Sequence, residues 1–398
     1  MNISAERLGR IQKKMREKGL DALFCRLSEH VLYFTGYWPH NHGGAALVPV
    51  EGKPLLLLSE MEARLELGSF KPAEGVSVLT FPFESAEVLR SLNEGLAVVL
   101  PGAFERLGLL DKVVGVELGF EGCNTGIFQG EVKYPAGPTW RMLERLFPKV
   151  RFVDGSQAIL DLRMVKSEEE IDAIRRTVEL AGLGMAAAQS VIAAGRKETE
   201  VASLVESLMH SMGTGSGGIC QVRGYACVYS GERGADGWSH YAYSSSRMIN
   251  SGDVVLVELG AFADGYWADL TRNFCAGQVS ERAREILKIV RDAQQLAIEA
   301  ARPGAAIRDV DRAARDHIEK HGYGKQFPHG LGHGVGTAYH EGPALHKANP
   351  GVLEENMVLT IEPGIYIPGF GGIRAEDMIV VRRGGAEVLS KVVPYAFE

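Results

Sequence analysis

Two alternating apolar stretches that meet at Asp264-Gly265 constrain this chain more than any other feature. In GDVVLVELGAFADGYWADLTRNF, strand-forming residues run up to and away from the Asp-Gly pair. That pair favours the tight hairpin turn whose two central residues both take positive φ. A two-residue turn there pairs Glu258 with Thr271 and makes Asp269 a diagonal neighbour of Glu258 on the same face. Two carboxylates therefore converge. Like charges this close raise a pKa or repel unless a cation lies between them, so the pair is either a metal site or a surface coincidence.

Two further stretches carry chemistry. FPHGLGHGVGTAYHEGP sets His329, His333 and His340 among glycines. Glycines let the backbone approach an ion closely, and imidazoles near carboxylates serve as ligands or proton carriers. A lone histidine is usually a satisfied core or surface residue, but three within twelve residues are harder to dismiss. MVLTIEPGIYIPGFGGIRAEDMIVV reads as two strands about a glycine-rich turn, with Glu362 near the end of one and Glu376 near the start of the other. Their even spacing is compatible with a shared face unless a bulge breaks the parity. Arg374 is spaced to share that face and orient a carboxylate; its bland alternative is a surface ion pair worth little.

Four carboxylates and one imidazole suit Mn²⁺, Co²⁺, Fe²⁺ or Zn²⁺ rather than a thiolate-selected ion. Such a set has oxygens enough to bridge two ions about 3.5–4 Å apart, with a water between them acidified to hydroxide. No serine or cysteine nucleophile signature competes with that reading.

At 398 residues the chain exceeds one ordinary core and suits two domains. The first 157 residues read as a compact α/β domain. Ser4 caps a helix with Leu8, Ile11 and Met15 on one face, and short apolar runs follow at residues 20–25, 44–50, 54–58, 97–100 and 113–117. Residues 158–398 form the second domain of this α/β (α+β) architecture. It opens on a capping box at Ser167 and Glu170, with helices expected near 199–212 and 281–301 and from Ile307 to Gly322. Residues 213–237 read as a loop carrying Arg223, Tyr225 and Tyr229. A formal charge of -7 argues against nucleic acid or an anionic membrane as partner. The charged amphipathic start, the lack of a long apolar run and five scattered cysteines without a CxxC pair lead us to expect a cytoplasmic protein.

In order and spacing, the three chemical stretches resemble the pita-bread-fold family of methionine aminopeptidases, prolidases and aminopeptidases P, together with creatinase. RLGRIQKKMREKGLDALF with YFTGYWP looks like the amino-terminal domain of the prolidase and creatinase branch, and VKSEEEIDAIRR like its interdomain opening. The shorter methionine aminopeptidases are thereby excluded. The resemblance implies a pita-bread catalytic domain whose dinuclear centre is bound by Glu258, Asp269, His333, Glu362 and Glu376, with Mn the first choice. It implies that Glu362 is also the proton shuttle, that His240 contacts substrate and that His340 hydrogen-bonds the scissile carbonyl. His329 and Arg374 fall on the substrate side. The activity implied is that of a Xaa-Pro dipeptidase or aminopeptidase, cutting small peptides before proline with a metal-bridging hydroxide, in a homodimer.

One departure stands out: Glu258 occupies a position where the family pattern has Asp. With the altered segment 213–237 it favours an alternative, a hydrolase or lyase acting on a small non-peptide such as creatine, a cyclic amidine or a sulfonium acid. A catalytically silent, protein-binding pita-bread domain is the third reading.

Overall fold

The computed structural model describes residues 4–40, 44–64, 72–82, 92–119, 137–239, 243–391 and 393. It divides into two compact units, Met1–Arg163 and Met164–Glu398.

In the first unit, helix α1 (Ala5–Glu17) begins where the Ser4 side chain accepts the Arg7 N–H, and it buries Ile11 and Met15. Strands β1 (Ala22–Cys25), β2 (Gly44–Pro49), β3 (Leu55–Ser59), β4 (Ser77–Phe81), β5 (Val113–Val116) and β6 (Arg151–Asp154) form one sheet in the order β4-β3-β2-β1-β5-β6. Helices α2 (Ser28–Thr35), α3 (Glu60–Ala63), α4 (Leu92–Arg106), α5 (Gly137–Leu146) and α6 (Ser156–Met164) complete the described part, and the boundary expected after residue 157 falls within α6. The run 97–100, expected to be strand-like, lies inside α4. Leu96, Leu100, Ala103 and Phe104 are buried at helical spacing while Val98 is exposed, a pattern that strand alternation cannot produce.

The second unit opens on α7 (Glu168–Val191), with both halves of the Ser167/Glu170 capping box formed. After α8 (Glu198–Gly213) comes β7 (Val222–Ser230), inside the segment read as a loop. It is a strand because its main chain pairs along its full length with β8 (Val254–Ala263), while Gly224 on the other face lets α8 approach: a Cβ there would meet Met209 Sδ at 2.9 Å. Strand β8 in turn pairs with β9 (Tyr266–Cys275) through a turn in which Asp264 (φ 49°) and Gly265 (φ 93°) are both left-handed.

Helices α9 (Glu281–Ala300) and α10 (Ile307–Lys320) follow, burying Ile286, Val290 and Ala297 and Ile307, Val310, Ala314 and Ile318. Strands β10 (Gly332–Gly334), β11 (Glu341–Leu345), β12 (Val358–Ile361), β15 (Asp377–Arg382) and β16 (Gly385–Val388) make a second sheet, ordered β11-β10-β12-β15-β16. Between β12 and β15 the chain makes the hairpin of β13 (Gly364–Ile367) and β14 (Gly371–Arg374). Among the described residues, no helix is long and apolar enough to cross a membrane.

Candidate metal centre

Three strands of the first catalytic sheet put a column of functional side chains on one face. Cys227 stands opposite Glu258, which stands opposite Thr271; two residues along, Tyr225, Gly260 and Asp269 align. Glu258 and Asp269 are therefore diagonal neighbours, as the turn requires. The second sheet supplies the other groups: Ile361 pairs with Asp377, so Glu362 and Glu376 lie one position beyond that pair on adjacent strands. The β13–β14 hairpin is an excursion that leaves this pairing intact.

His333 completes the cluster. Its Nδ1–H donates to the Gly334 carbonyl at 2.9 Å, which leaves Nε2 as a free lone pair. That nitrogen lies 3.3 Å from Asp269 Oδ2 and 3.6 Å from Glu362 Oε1. Thr360 holds both sides of this arrangement, accepting the His333 N–H at 3.0 Å and donating to Glu362 Oε1 at 3.3 Å. The backbone must come very close for this. A Cβ on Gly332 would fall 2.1 Å from the Thr360 carbonyl oxygen, which is the physical content of the glycines around His333.

The electrostatics are those of a site short of positive charge. Burial, then the neighbouring Asp269, pushes the Glu376 carboxyl up to about 8. Burial, then Glu258, drives Asp269 well above the carboxylate range, and burial, then Glu376, does the same to Glu362. Burial also lowers His333, favouring its neutral, ligating form. Glu376 Oε1 is buried without any hydrogen-bond partner, an orphaned acceptor in the middle of the cluster. A divalent cation answers both features, so the residues fit the metal that the sequence implies.

Arg374 sits against this cluster. Its Nη2 lies 2.7 Å from Glu258 Oε2, an ion pair whose N–H is not aligned on the oxygen, and its Nε donates to Thr271 Oγ1 at 2.8 Å. Its Nη1 reaches Tyr366 Oη at 3.4 Å, and Tyr366 in turn donates to His329 Nε2 at 3.0 Å. His329 is thus connected to the cluster through Tyr366 and Arg374. The ring of His340 is 4.2 Å from that of His333, and Asp269, His333 and His340 place ligand atoms within 4.8 Å of one another. His240 lies outside the described residues.

Sequence reasoning missed Tyr339, whose hydroxyl donates to Asp269 Oδ1 at 2.5 Å, and the supporting hydroxyls of Thr360 and Tyr366. Thr271 was within reach of the strand period as the partner of Glu258. Tyr339 offered only its place beside His340.

The model of metallopeptidase family M24 matches residues 172–383, and that of the creatinase/prolidase N-terminal domain matches 7–118. The chain belongs to metallopeptidase family M24. This M24 chain is 33% identical over 394 residues to a Xaa-Pro dipeptidase of Pyrococcus furiosus, covering 97% of itself and 98% of that protein. Among solved structures it resembles the X-Pro aminopeptidase from Thermotoga maritima (TM-score 0.78, 28% identity, 96% and 99% of the two chains). It also resembles the Xaa-Pro dipeptidase from Bacillus anthracis (TM-score 0.78, 26% identity, 98% of each chain). The M24 chain is accordingly a metal-dependent hydrolase built from a creatinase/prolidase-type N-terminal domain and a pita-bread catalytic domain.

Proposed function

We propose that this enzyme is a Xaa-Pro peptidase that cuts small peptides before proline, with divalent ions, Mn²⁺ first, held by Asp269, His333, Glu362 and Glu376 together with Glu258. The observation that carries the metal assignment is the orphaned, buried Glu376 Oε1 among carboxylates raised by burial. Proline specificity draws on the relatives, whose names specify Xaa-Pro substrates. In the same reading residues 1–157 are the N-terminal domain and 158–398 the catalytic one, and the enzyme is a cytoplasmic homodimer.

Bound ions would supply Lewis acidity, lowering the pKa of a water and polarising the scissile carbonyl. Glu362, held by Thr360, takes the proton released from that water and returns it to the leaving nitrogen. His340, whose ring lies 4.2 Å from that of His333, hydrogen-bonds the carbonyl oxygen. Arg374 holds Glu258 in place, and His329 and His240 contact the substrate.

A specific observation favours a second reading, a small non-peptide amide or sulfonium acid as substrate: Glu258 stands where the family pattern has Asp, and its carboxylate is turned to Arg374. Hydrolysis of Ala-Pro and Ala-Pro-Pro by the Mn²⁺-loaded chain tests both. Cleavage before proline supports the peptidase, and the preferred length separates dipeptidase from aminopeptidase. Bound metal with neither peptide cut overturns it in favour of the second reading.

A further inference from the structure

We infer that the two ends of this carboxylate cluster are unequal, and that the Tyr339 hydroxyl stands in for an ion at the Glu258 end. The inference rests on the metal assignment above and goes beyond it.

Tyr339 Oη lies 2.5 Å from Asp269 Oδ1 and 3.4 Å from Glu258 Oε1, bridging the two hairpin carboxylates. An ion coordinated by Asp269 Oδ1 would sit about 2.0–2.2 Å from that oxygen. An ion bridging Asp269 Oδ1 and Glu258 Oε1 would therefore fall where the phenolic oxygen already lies between them. The other Glu258 oxygen is taken by Arg374 at 2.7 Å. Both Glu258 oxygens already have a proton donor or a cation against them.

The opposite end differs. Asp269 Oδ2 and Glu362 Oε1 face His333 Nε2, a lone pair with no hydrogen of its own, and Glu376 Oε1 has no donor at all. Apart from the Thr360 hydroxyl on Glu362 Oε1, these are acceptors facing acceptors, the arrangement a cation resolves. Charge points the same way, since Arg374 at the Glu258 end already supplies the positive charge that a second ion would otherwise bring.

Tyr339 is also not free to swing out. It is 2% exposed, with the Trp267 ring edge-on at 5.6 Å and the His340 ring at 4.7 Å. The longer reach of Glu258 is part of the same device, because it is the residue that meets both Arg374 and Tyr339. The chain thus holds one ion tightly at Asp269, His333, Glu362 and Glu376, and a second only by displacing Tyr339.

The test is a Mn²⁺ titration of the metal-stripped 398-residue chain, read by elemental analysis after desalting and by electron paramagnetic resonance. Tyr339→Phe and Glu258→Asp variants are compared after matching far-UV circular dichroism. The wild type should retain one ion per chain and give the hyperfine-resolved spectrum of an isolated Mn²⁺. Tyr339→Phe, which keeps the ring but loses the hydroxyl, should gain affinity for a second ion about 10-fold or more and show the spectrum of a coupled pair. Glu258→Asp should move the same way. Two ions of equal affinity in the wild type, or a Tyr339→Phe titration identical to the wild type, overturns the inference while leaving the metallopeptidase reading standing. No ion bound by any of the three overturns both.

Discussion

Thr271 donates its hydroxyl to Glu376 Oε2 across 2.6 Å and accepts the Arg374 Nε–H at 2.8 Å, so one small side chain ties two strands of the site to its arginine. Thr271 is fully buried on the same strand face as Asp269. Thr271→Val preserves the shape and removes both hydrogen bonds, leaving Glu376 without a donor on either oxygen. Loss of such a supporting contact typically lowers metal affinity or activity about 10- to 100-fold. We expect Mn²⁺ affinity and kcat/KM to fall by that amount, with a loss of stability of about 1–3 kcal/mol from the buried groups left unpaired. Unchanged affinity would mean that Glu376 is positioned by its backbone alone.

The neighbouring residue faces the other way. Arg272 is fully buried, donating to the Thr271, Glu376 and Val393 carbonyls and to Asp377 Oδ1 at 2.8 Å. It crosses from β9 to β15 behind the cluster, fixing the backbone that carries both carboxylates. Arg272→Met removes the cation beside buried Asp377, which keeps only neutral partners such as the Ser390 hydroxyl, and breaking a buried pair in this way costs about 3–5 kcal/mol. Denaturant unfolding of the metal-stripped protein should show a loss of that size. The paired variant Arg272→Met, Asp377→Leu should recover most of it, because it removes the stranded charge rather than the scaffold.

These two neighbours illustrate what was legible beforehand. The Asp-Gly turn fixes the register of β8 and β9, and strand alternation then assigns Asp269 and Thr271 to one face and Arg272 to the other. The pairing of Glu362 with Glu376 was visible only as even spacing, since the β13–β14 hairpin between them could equally have broken the parity. Strand β7 was not visible: its glycine, arginine and tyrosines read as a loop, and only its partner β8 makes it a strand. Tyr339 was hidden for a related reason. Its target, Asp269, is 70 residues away, and a tyrosine among the glycines and histidines of that stretch shows no partner until the packing is known.

Glycine at 332 and 334 is a steric requirement. A Cβ at Gly332 would lie 2.1 Å from the Thr360 carbonyl oxygen, and one at Gly334 would lie 2.1 Å from the Gly342 carbonyl oxygen. Both contacts are with backbone, so neither can relax by a rotamer change, and alanine must push β10 away from its neighbours. The His333 Nε2 lone pair would move with the strand. Gly332→Ala is expected to lose tight Mn²⁺ binding and to lower the melting temperature by several degrees, consistent with a penalty of about 1–3 kcal/mol for overpacking. Full metal affinity in the variant would show that β10 has slack that the contacts do not suggest.

The raised carboxyls make a prediction about pH whose sign differs between the metal-free and metal-loaded forms. Glu376 moves from its ordinary 4.5 to about 8, chiefly through burial and then Asp269, and Asp269 and Glu362 move in the same direction. Between those two values the folded, metal-free chain keeps a proton that the unfolded chain has already released. The folded state therefore binds more protons there, and its stability must fall as pH rises from about 4.5 to about 8, levelling off beyond. A divalent ion replaces those protons with charge that does not depend on pH, and protons compete with it at the acid end of the window. Melting of the chelator-treated protein should decline across the window, while the Mn²⁺-loaded protein should hold steady or gain. Stability of the metal-free form that rises over the same range would mean that these carboxylates are already ionised and paired, and that the centre carries more fixed positive charge than Arg374 supplies.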